Sequence, residues 1–181
     1  TLTRLDCVLA SAGLMRFVLA NALRHAKYRT VFQKKLIDQP LMATVLADLA
    51  LDSEAATTLA FRLAGSFDRA AGDPAEAAFR RLMTPVIKYF VCKSAPHFAY
   101  ETMECLGGNG YVEEGLMARA YREAPLNAIW EGSGNVMCLD ILRVLQREPD
   151  AAEAALSLLA PGLAGDKRLL AALDAVKTRL A

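Results

Sequence analysis

"LTRLDCVLASAGLMRFVLANALRHAKY", residues 2–28, decides the fold. Its apolar positions Leu5, Val8, Leu9, Ala12, Met15, Val18, Leu19, Ala22 and Leu23 recur at spacings of three and four. That is a stripe along one helix, not the alternation of a strand. Helical periodicity returns between the later Gly and Pro stops, and no segment carries a convincing strand pattern. The chain therefore reads as all-α.

Working outward, "KYRTVFQKKLIDQP" loses the period and reads as a loop, with Asp38 placed to cap the next helix and Pro40 in its first turn. That helix is predicted over 39–71, stopped by Gly72. Asp73 then caps a third, over 74–105, with Pro74 at its start. Pro85 and Pro96 lie inside it, so a kink or local irregularity is expected. "GGNGYVEEG" breaks the pattern, "LMARAYREA" reads as a short turn of helix, and a fourth helix runs from Gly132–Gly134 to Arg147. After Pro149, two Ala/Leu-rich stretches at 150–160 and 166–181 are split by "APGLAGD". Residues 1–147 are expected to form an antiparallel four-helix bundle, with 148–181 a helical extension.

Composition narrows the function classes. Over half of the 181 residues are apolar, enough for a sizeable core, and the net charge of +1 supplies no field to recruit nucleic acid or an anionic membrane. No uninterrupted apolar run reaches the roughly 18–20 residues that span a bilayer. Asp6 and Arg16 interrupt the first helix, which excludes a signal-peptide reading. The first residue is not Met, and the chain reads as a piece of a larger protein. Cys7, Cys92, Cys105 and Cys138 stand singly in apolar helical segments, so buried thiols in a reducing cytoplasm are expected and neither zinc nor a disulfide framework is. His25 and His97 sit on helices with no paired carboxylate or Cys and read as ordinary helix histidines. Apolar content beyond what a lone bundle buries predicts a homo-dimer or homo-tetramer built on helix faces.

One stretch departs from helical logic. "APLNAIWEGSGNV", residues 124–136, sets Glu131 between the only tryptophan, Trp130, and a Gly-Ser-Gly run. A carboxylate there reads either as a working base or as a favourable acid in a first helical turn.

Three motifs stand in order at predicted helix junctions: "RTVFQKKLIDQ" from Arg29, "ECLGGNGY" from Glu104 and "IWEGSGN" from Ile129. Together they resemble the C-terminal helical domain of the acyl-CoA dehydrogenase family, whose forms are approximately R-x-x-F-G, Q-x-x-G-G-x-G and Y-E-G-T. "EGSGNVMCLDILRVL" and "LDCVLAS" look more like the adaptive-response (AidB-type) branch, a flavoprotein branch with weak dehydrogenase character that is associated with DNA and alkylation stress. The resemblance implies FAD as hydride acceptor, an acyl-CoA thioester as substrate, and Glu131 as the base that removes the α-proton, in a dry pocket walled by Trp130.

Some branches carry the base on the first helix instead, at or beside Thr3; neither Thr3, Leu2 nor Arg4 is a carboxylate, which leaves Glu131. Arg4 matches an arginine near the thioester pocket. Arg29 and Phe32 match residues that reach the flavin dinucleotide of a neighbouring subunit, although Gln33 replaces the family glycine and Gln39 is displaced by one position. Gly107 and Gly108 match a close approach to the cofactor, with Glu104 in place of glutamine. Ser133 and Asn135 stand where the family uses Thr and Gln. The resemblance implies α,β-dehydrogenation by a parent whose middle β-domain carries much of the flavin site, so that this piece alone binds FAD weakly or not at all. The alternative is an AidB-type protein that binds DNA with little dehydrogenase turnover, and a third reading is a helical oligomerisation module. The basic residues of the tail, Lys167, Arg168, Lys177 and Arg179, are too few to establish DNA binding.

Overall fold

The computed structural model describes residues 2–180; Thr1 and Ala181, the outer ends of the two expected segments, lie outside the described residues. The chain is all-α, as the periodicity predicts. Helix α1 covers Leu2–Tyr28, α2 covers Pro40–Arg69 and α3 covers Pro74–Cys105. Three short helices follow: α4 (Gly108–Tyr111), α5 (Leu116–Glu123) and α6 (Leu126–Ile129). Then come α7 (Gly134–Arg147), α8 (Pro149–Ser157), α9 (Ala160–Leu163) and α10 (Lys167–Leu180). The fourth long helix of the bundle thus has the expected bounds, but at 14 residues it is half the length of the first three.

Helices α1 and α3 run parallel and α2 returns between them. The Ser11 hydroxyl donates to Cys92 Sγ (3.4 Å), which sets the tenth residue of α1 level with the middle of α3, while Arg4 at the start of α1 lies beside Arg81 and Pro85. The main core fills the space among the three, with Val8, Val18, Ala22, Leu63, Val91 and Ala95 closed to solvent. By length and composition α1 could cross a membrane, but half of its apolar window is buried in this core. The N-terminal stretch of α3 reaches past the start of α1. There a second cluster forms, with Phe79 and Leu82 of α3 packed on Val144 of α7 and on Ala152 and Ala155 of α8.

Local chemistry accounts for most boundaries. Asp73 caps α3 as expected, its carboxylate accepting from the N–H groups of Ala75 (2.9 Å) and Glu76 (3.4 Å). Asp38 does not cap α2. It ends a single 3-10 turn over Leu36–Asp38, and Gln39 takes the cap position without a side-chain bond to the helix, its amide donating instead to Val31 O (3.1 Å). Helix α3 continues unbroken through Pro85 and Pro96. The expected loop after α1 holds a small antiparallel ribbon, with Thr30 and Val31 paired to Lys35 and Lys34. Phe32 and Gln33 at its tip both have positive φ, 47° and 66°, which is the mirror-image turn that closes a two-residue hairpin. Cys7, Cys92 and Cys105 are buried, but Cys138 is exposed on α7. His97 lies 4.0 Å from Glu101, one helical turn on, so it does have a carboxylate neighbour.

One ion cluster locks the α2–α3 hairpin. Glu76, buried, accepts from Arg62 Nη1 (2.9 Å) and Nη2 (3.2 Å) and from Arg69 Nε (3.1 Å). Burial alone would raise its carboxyl, but the hydrogen bonds and charges of Arg62 and Arg69 outweigh that and hold it below the usual carboxylate range. Arg62 also lies over the Phe79 ring, 3.8 Å from its centroid. Glu76→Ala therefore leaves two guanidiniums without their acceptor. The expected loss is about 2–3 kcal/mol in urea denaturation, below the value for a fully buried pair because Arg69 is half exposed.

Candidate active site

The residues between α6 and α7 make a turn that few sequences allow. Trp130 is extended, Glu131 is left-handed at φ 57°, and Gly132 sits at φ 104°. That φ is one L side chains rarely adopt, and a Cβ there would also press on the side-chain ends Met137 Cε (2.6 Å) and Val136 Cγ1 (2.9 Å), so glycine is favoured chiefly by the backbone angle. Glu131 has no such freedom. A non-glycine residue held there costs on the order of 1–3 kcal/mol, and the surroundings must fix it.

Three side chains do so. The Lys88 ammonium donates to Trp130 O (2.7 Å) and Gly132 O (2.5 Å), the two carbonyls that flank Glu131. Arg4 Nε donates to the Glu131 carbonyl (3.2 Å), and the Thr3 hydroxyl donates to the Glu131 carboxylate (2.7 Å). The alternative base position on the first helix and Glu131 are thus hydrogen-bonded neighbours. Arg4 is itself oriented by Asp140 of α7, 2.5 Å from Nη1, and Asp140 also takes Arg81 (3.2 Å) and Arg143 (3.5 Å). Burial would raise the Asp140 carboxyl, yet the bonds and charges of Arg4 and Arg81 keep it below its ordinary value. Burial pushes the Cys7 thiol up, against the pull of Lys88, so the one thiol near the turn is a poor nucleophile at neutral pH.

Sequence reasoning missed Lys88, Asp140 and Arg81. The available signal was lysine at a position whose helical neighbours Thr84, Pro85, Val91 and Cys92 are buried. At 1% exposure Lys88 is among the most buried side chains of the protein.

The expected site residues divide into two groups. Glu131, Arg4, Trp130, Ser133 and Asn135 gather at the start of α1 and α7. Ser133 holds the cap position of α7, but its hydroxyl makes no cap bond, and it stays exposed beside Asn135. Among the described residues, the N–H groups of Glu131 and Ser133 have no acceptor. Trp130 is 51% exposed in this chain, and its indole N–H donates to Asn127 Oδ1 (2.9 Å).

Arg29, Phe32, Glu104, Gly107 and Gly108 gather at the other end of the bundle. Twenty-six residues of helix separate Thr3 from Arg29, about 39 Å at 1.5 Å per residue. Phe32 is 93% exposed and shares an open groove of about 400 Å³ with Leu41, Glu101 and Glu104. Arg29 faces a different hollow with Arg24 and His25, away from that acid. Glu104 accepts from the Tyr100 hydroxyl (2.7 Å), and Gly107 has φ 61°.

A flavin dinucleotide can be tested against these surfaces. Free N–H donors and the Ser133 hydroxyl suit a ligand rich in carbonyl oxygens, and the Arg29/Arg24 hollow suits a phosphate. The acidic Glu104 groove suits neither phosphate oxygen, and Phe32 offers it only an apolar face.

The family model "Acyl-CoA dehydrogenase, C-terminal domain" matches residues 1–146. The chain is 52% identical over 147 residues to the putative acyl-CoA dehydrogenase AidB of Escherichia coli, covering 81% of this chain and 27% of that protein. It is 36% identical over 146 residues to acyl-CoA dehydrogenase family member 11 of Caenorhabditis elegans, covering 79% and 24%. The crystal structure of C. elegans ACDH-11 in complex with C11-CoA superposes with a TM-score of 0.86 at 31% identity, covering 98% of this chain and 31% of that one. This chain spans about a quarter of the length of those curated relatives.

Two outcomes test the turn. Gly132→Ala should lower stability by about 2 kcal/mol, through φ strain and the clash with Met137, as read by thermal unfolding. Asp140 has a depressed folded pKa, so its contribution is complete above the ordinary carboxylate value of about 3.9 and is lost as pH falls below it. Amide exchange at residues 126–137 should therefore accelerate below about pH 4 in unmutated protein, and Asp140→Asn should show the faster exchange already at neutral pH.

Proposed function

The chain belongs to the acyl-CoA dehydrogenase family as its C-terminal domain, and from that premise we propose that the protein carrying it oxidises an acyl-CoA thioester between its α- and β-carbons. Glu131 is the base of this reading. The observation that carries it is the strained backbone of Glu131, held on both flanks by Lys88 and at its own carbonyl by Arg4. A first-turn acid needs none of that apparatus.

Each side chain then has a task. Glu131 Oε1 is free of the Thr3 hydroxyl, which binds Oε2, and can accept the α-proton. Ionising a Cα–H bond beside a thioester places negative charge on the thioester oxygen. The unoccupied N–H groups of Glu131 and Ser133 are the donors this chain offers to that charge. Arg4 stabilises the turn and adds positive charge beside it. Trp130 needs the rest of the parent protein to complete a dry wall. FAD, when bound, supplies the acceptor for the β-hydrogen, and Ser133 and Asn135 are the side chains placed to hold it at this end.

Arg29, about 39 Å of helix from Thr3, and Phe32 just beyond it lie too far along α1 to reach a cofactor held beside Glu131 of the same copy. They fit a homo-oligomer in which the hairpin tip of one copy meets the cofactor of the next. The almost fully exposed Phe32 on its tight turn supports that reading.

The decisive test is Glu131→Gln in the full-length protein, read by rapid-mixing flavin reduction with a panel of acyl-CoA thioesters. Gln keeps the size and the Thr3 bond, so flavin content and melting temperature should hold. The reduction rate should fall by about 10²–10⁴. Unchanged reduction in the variant would remove Glu131 from the chemistry.

A further inference from the structure

Lys88 is a costly residue. Its ammonium is buried in the bundle, and among the described residues no carboxylate lies within ion-pair distance of it. A buried cation without a counter-charge destabilises a fold. Filling the space does not call for a charge either, because methionine has nearly the same length without an ammonium.

Its geometry supplies the reason. The two carbonyls that Lys88 binds belong to the peptide units Trp130–Glu131 and Gly132–Ser133. No peptide bond in the described chain is cis. In a planar trans unit the C=O and N–H point in opposite directions. With both carbonyls turned inward to Lys88, the N–H groups of Glu131 and Ser133 turn away from the core. A cation on each carbonyl also polarises its peptide unit and strengthens the N–H as a donor. One ammonium thereby fixes the backbone on either side of the base, aims two donors outward, and puts a positive charge behind them.

We propose that Lys88 is a positioning residue for the dehydrogenation, holding the Glu131 turn and charging its outward N–H pair from behind without touching substrate. The proposal rests on the reading of Glu131 as the base. It assigns the unpaired charge to stabilising the negative charge that forms on the thioester when the α-proton leaves. A cation committed to that task is best left without an acid partner, since a carboxylate beside it would cancel the field.

The test uses the full-length flavoprotein with Lys88→Met, which keeps the length and removes the charge and the donors. Lys88→Gln serves as a second variant that keeps an N–H donor but no charge. Three measurements are made at one pH: flavin reduction by acyl-CoA, exchange of the acyl α-proton for deuterium in D₂O, and amide exchange across residues 126–137. Limiting rates of reduction and of α-exchange should fall about 10²-fold or more in Lys88→Met, as for other misplaced catalytic groups. The half-saturating acyl-CoA concentration should stay nearly constant, and amide exchange should accelerate within 126–137 and not elsewhere. Lys88→Gln should lose rate in the same direction. Full rate in either variant, or a lower rate accounted for wholly by lost flavin or global unfolding, overturns the proposal. If unmutated protein exchanges no α-proton of any thioester, the reading of Glu131 falls. Amide exchange then judges Lys88 by itself, and unchanged protection of the turn in Lys88→Met overturns it as well.

Discussion

The 32-residue α3 is about 48 Å long, and the 27-residue α1 starts level with about Arg81, so the first turns of α3 project beyond α1. The rest of the structure follows from that mismatch. Helix α1 pairs with α3 from about Arg81 to its C-terminal end, and α2 closes the triangle. The stretch around Phe79 and Leu82 is left over, and α7 and α8 bury it in a second cluster. The chain must therefore pass from one core to the other partway along α3. It does so between α6 and α7, level with Lys88. The turn that carries Glu131 is the seam between two cores, and a seam is where backbone carbonyls face inward without helical partners.

Buried charge sorts itself along the same helix. At its N-terminal end Glu76 is matched by Arg62 and Arg69, and further on Asp140 of α7 takes Arg81 of α3 along with Arg4. Both acids are held below their usual range, so both clusters are structural at neutral pH. Lys88 alone is satisfied by carbonyls rather than by an acid. The contrast within one helix separates ion pairs that tie elements together from a cation that serves the surface above it.

Much of this was legible in the sequence, and the failures have causes. The helices from Leu2, Pro40 and Pro74 follow from apolar spacing and from prolines placed at first turns. The order of the three motifs carried the family, and Glu131 stood out because glycine on its far side and tryptophan on its near side suit no helix. The ribbon at Thr30–Lys35 was hidden because Phe32 and Gln33 do the work normally given to Asn-Gly. The Asp38 cap failed because a 3-10 turn absorbed that residue before α2 began. Lys88 was passed over because a lysine in a helical pattern reads as surface, even with apolar residues three and four positions away. Only the packing of α1 and the 130–133 turn against that face of α3 buries it.

The exposure of Glu131 is consistent with its proposed task when the division of labour is considered. The matched stretch makes up about a quarter of the curated relatives' length, and in the proposed reading water exclusion belongs to parts of the parent outside this chain. What this domain can supply by itself is geometry. The left-handed residue, the glycine that follows, the carbonyls pinned by Lys88 and the hydroxyl of Thr3 together leave the carboxylate few rotational choices before any ligand arrives. Preorganisation of that kind lowers the reorganisation needed when charge develops, and it is effective only if the supporting groups are themselves rigid. Here they are anchored in buried helix: Lys88 within α3, and Arg4 through Asp140 into α7. The two cores built on α3 are thus also the two clamps that hold Glu131.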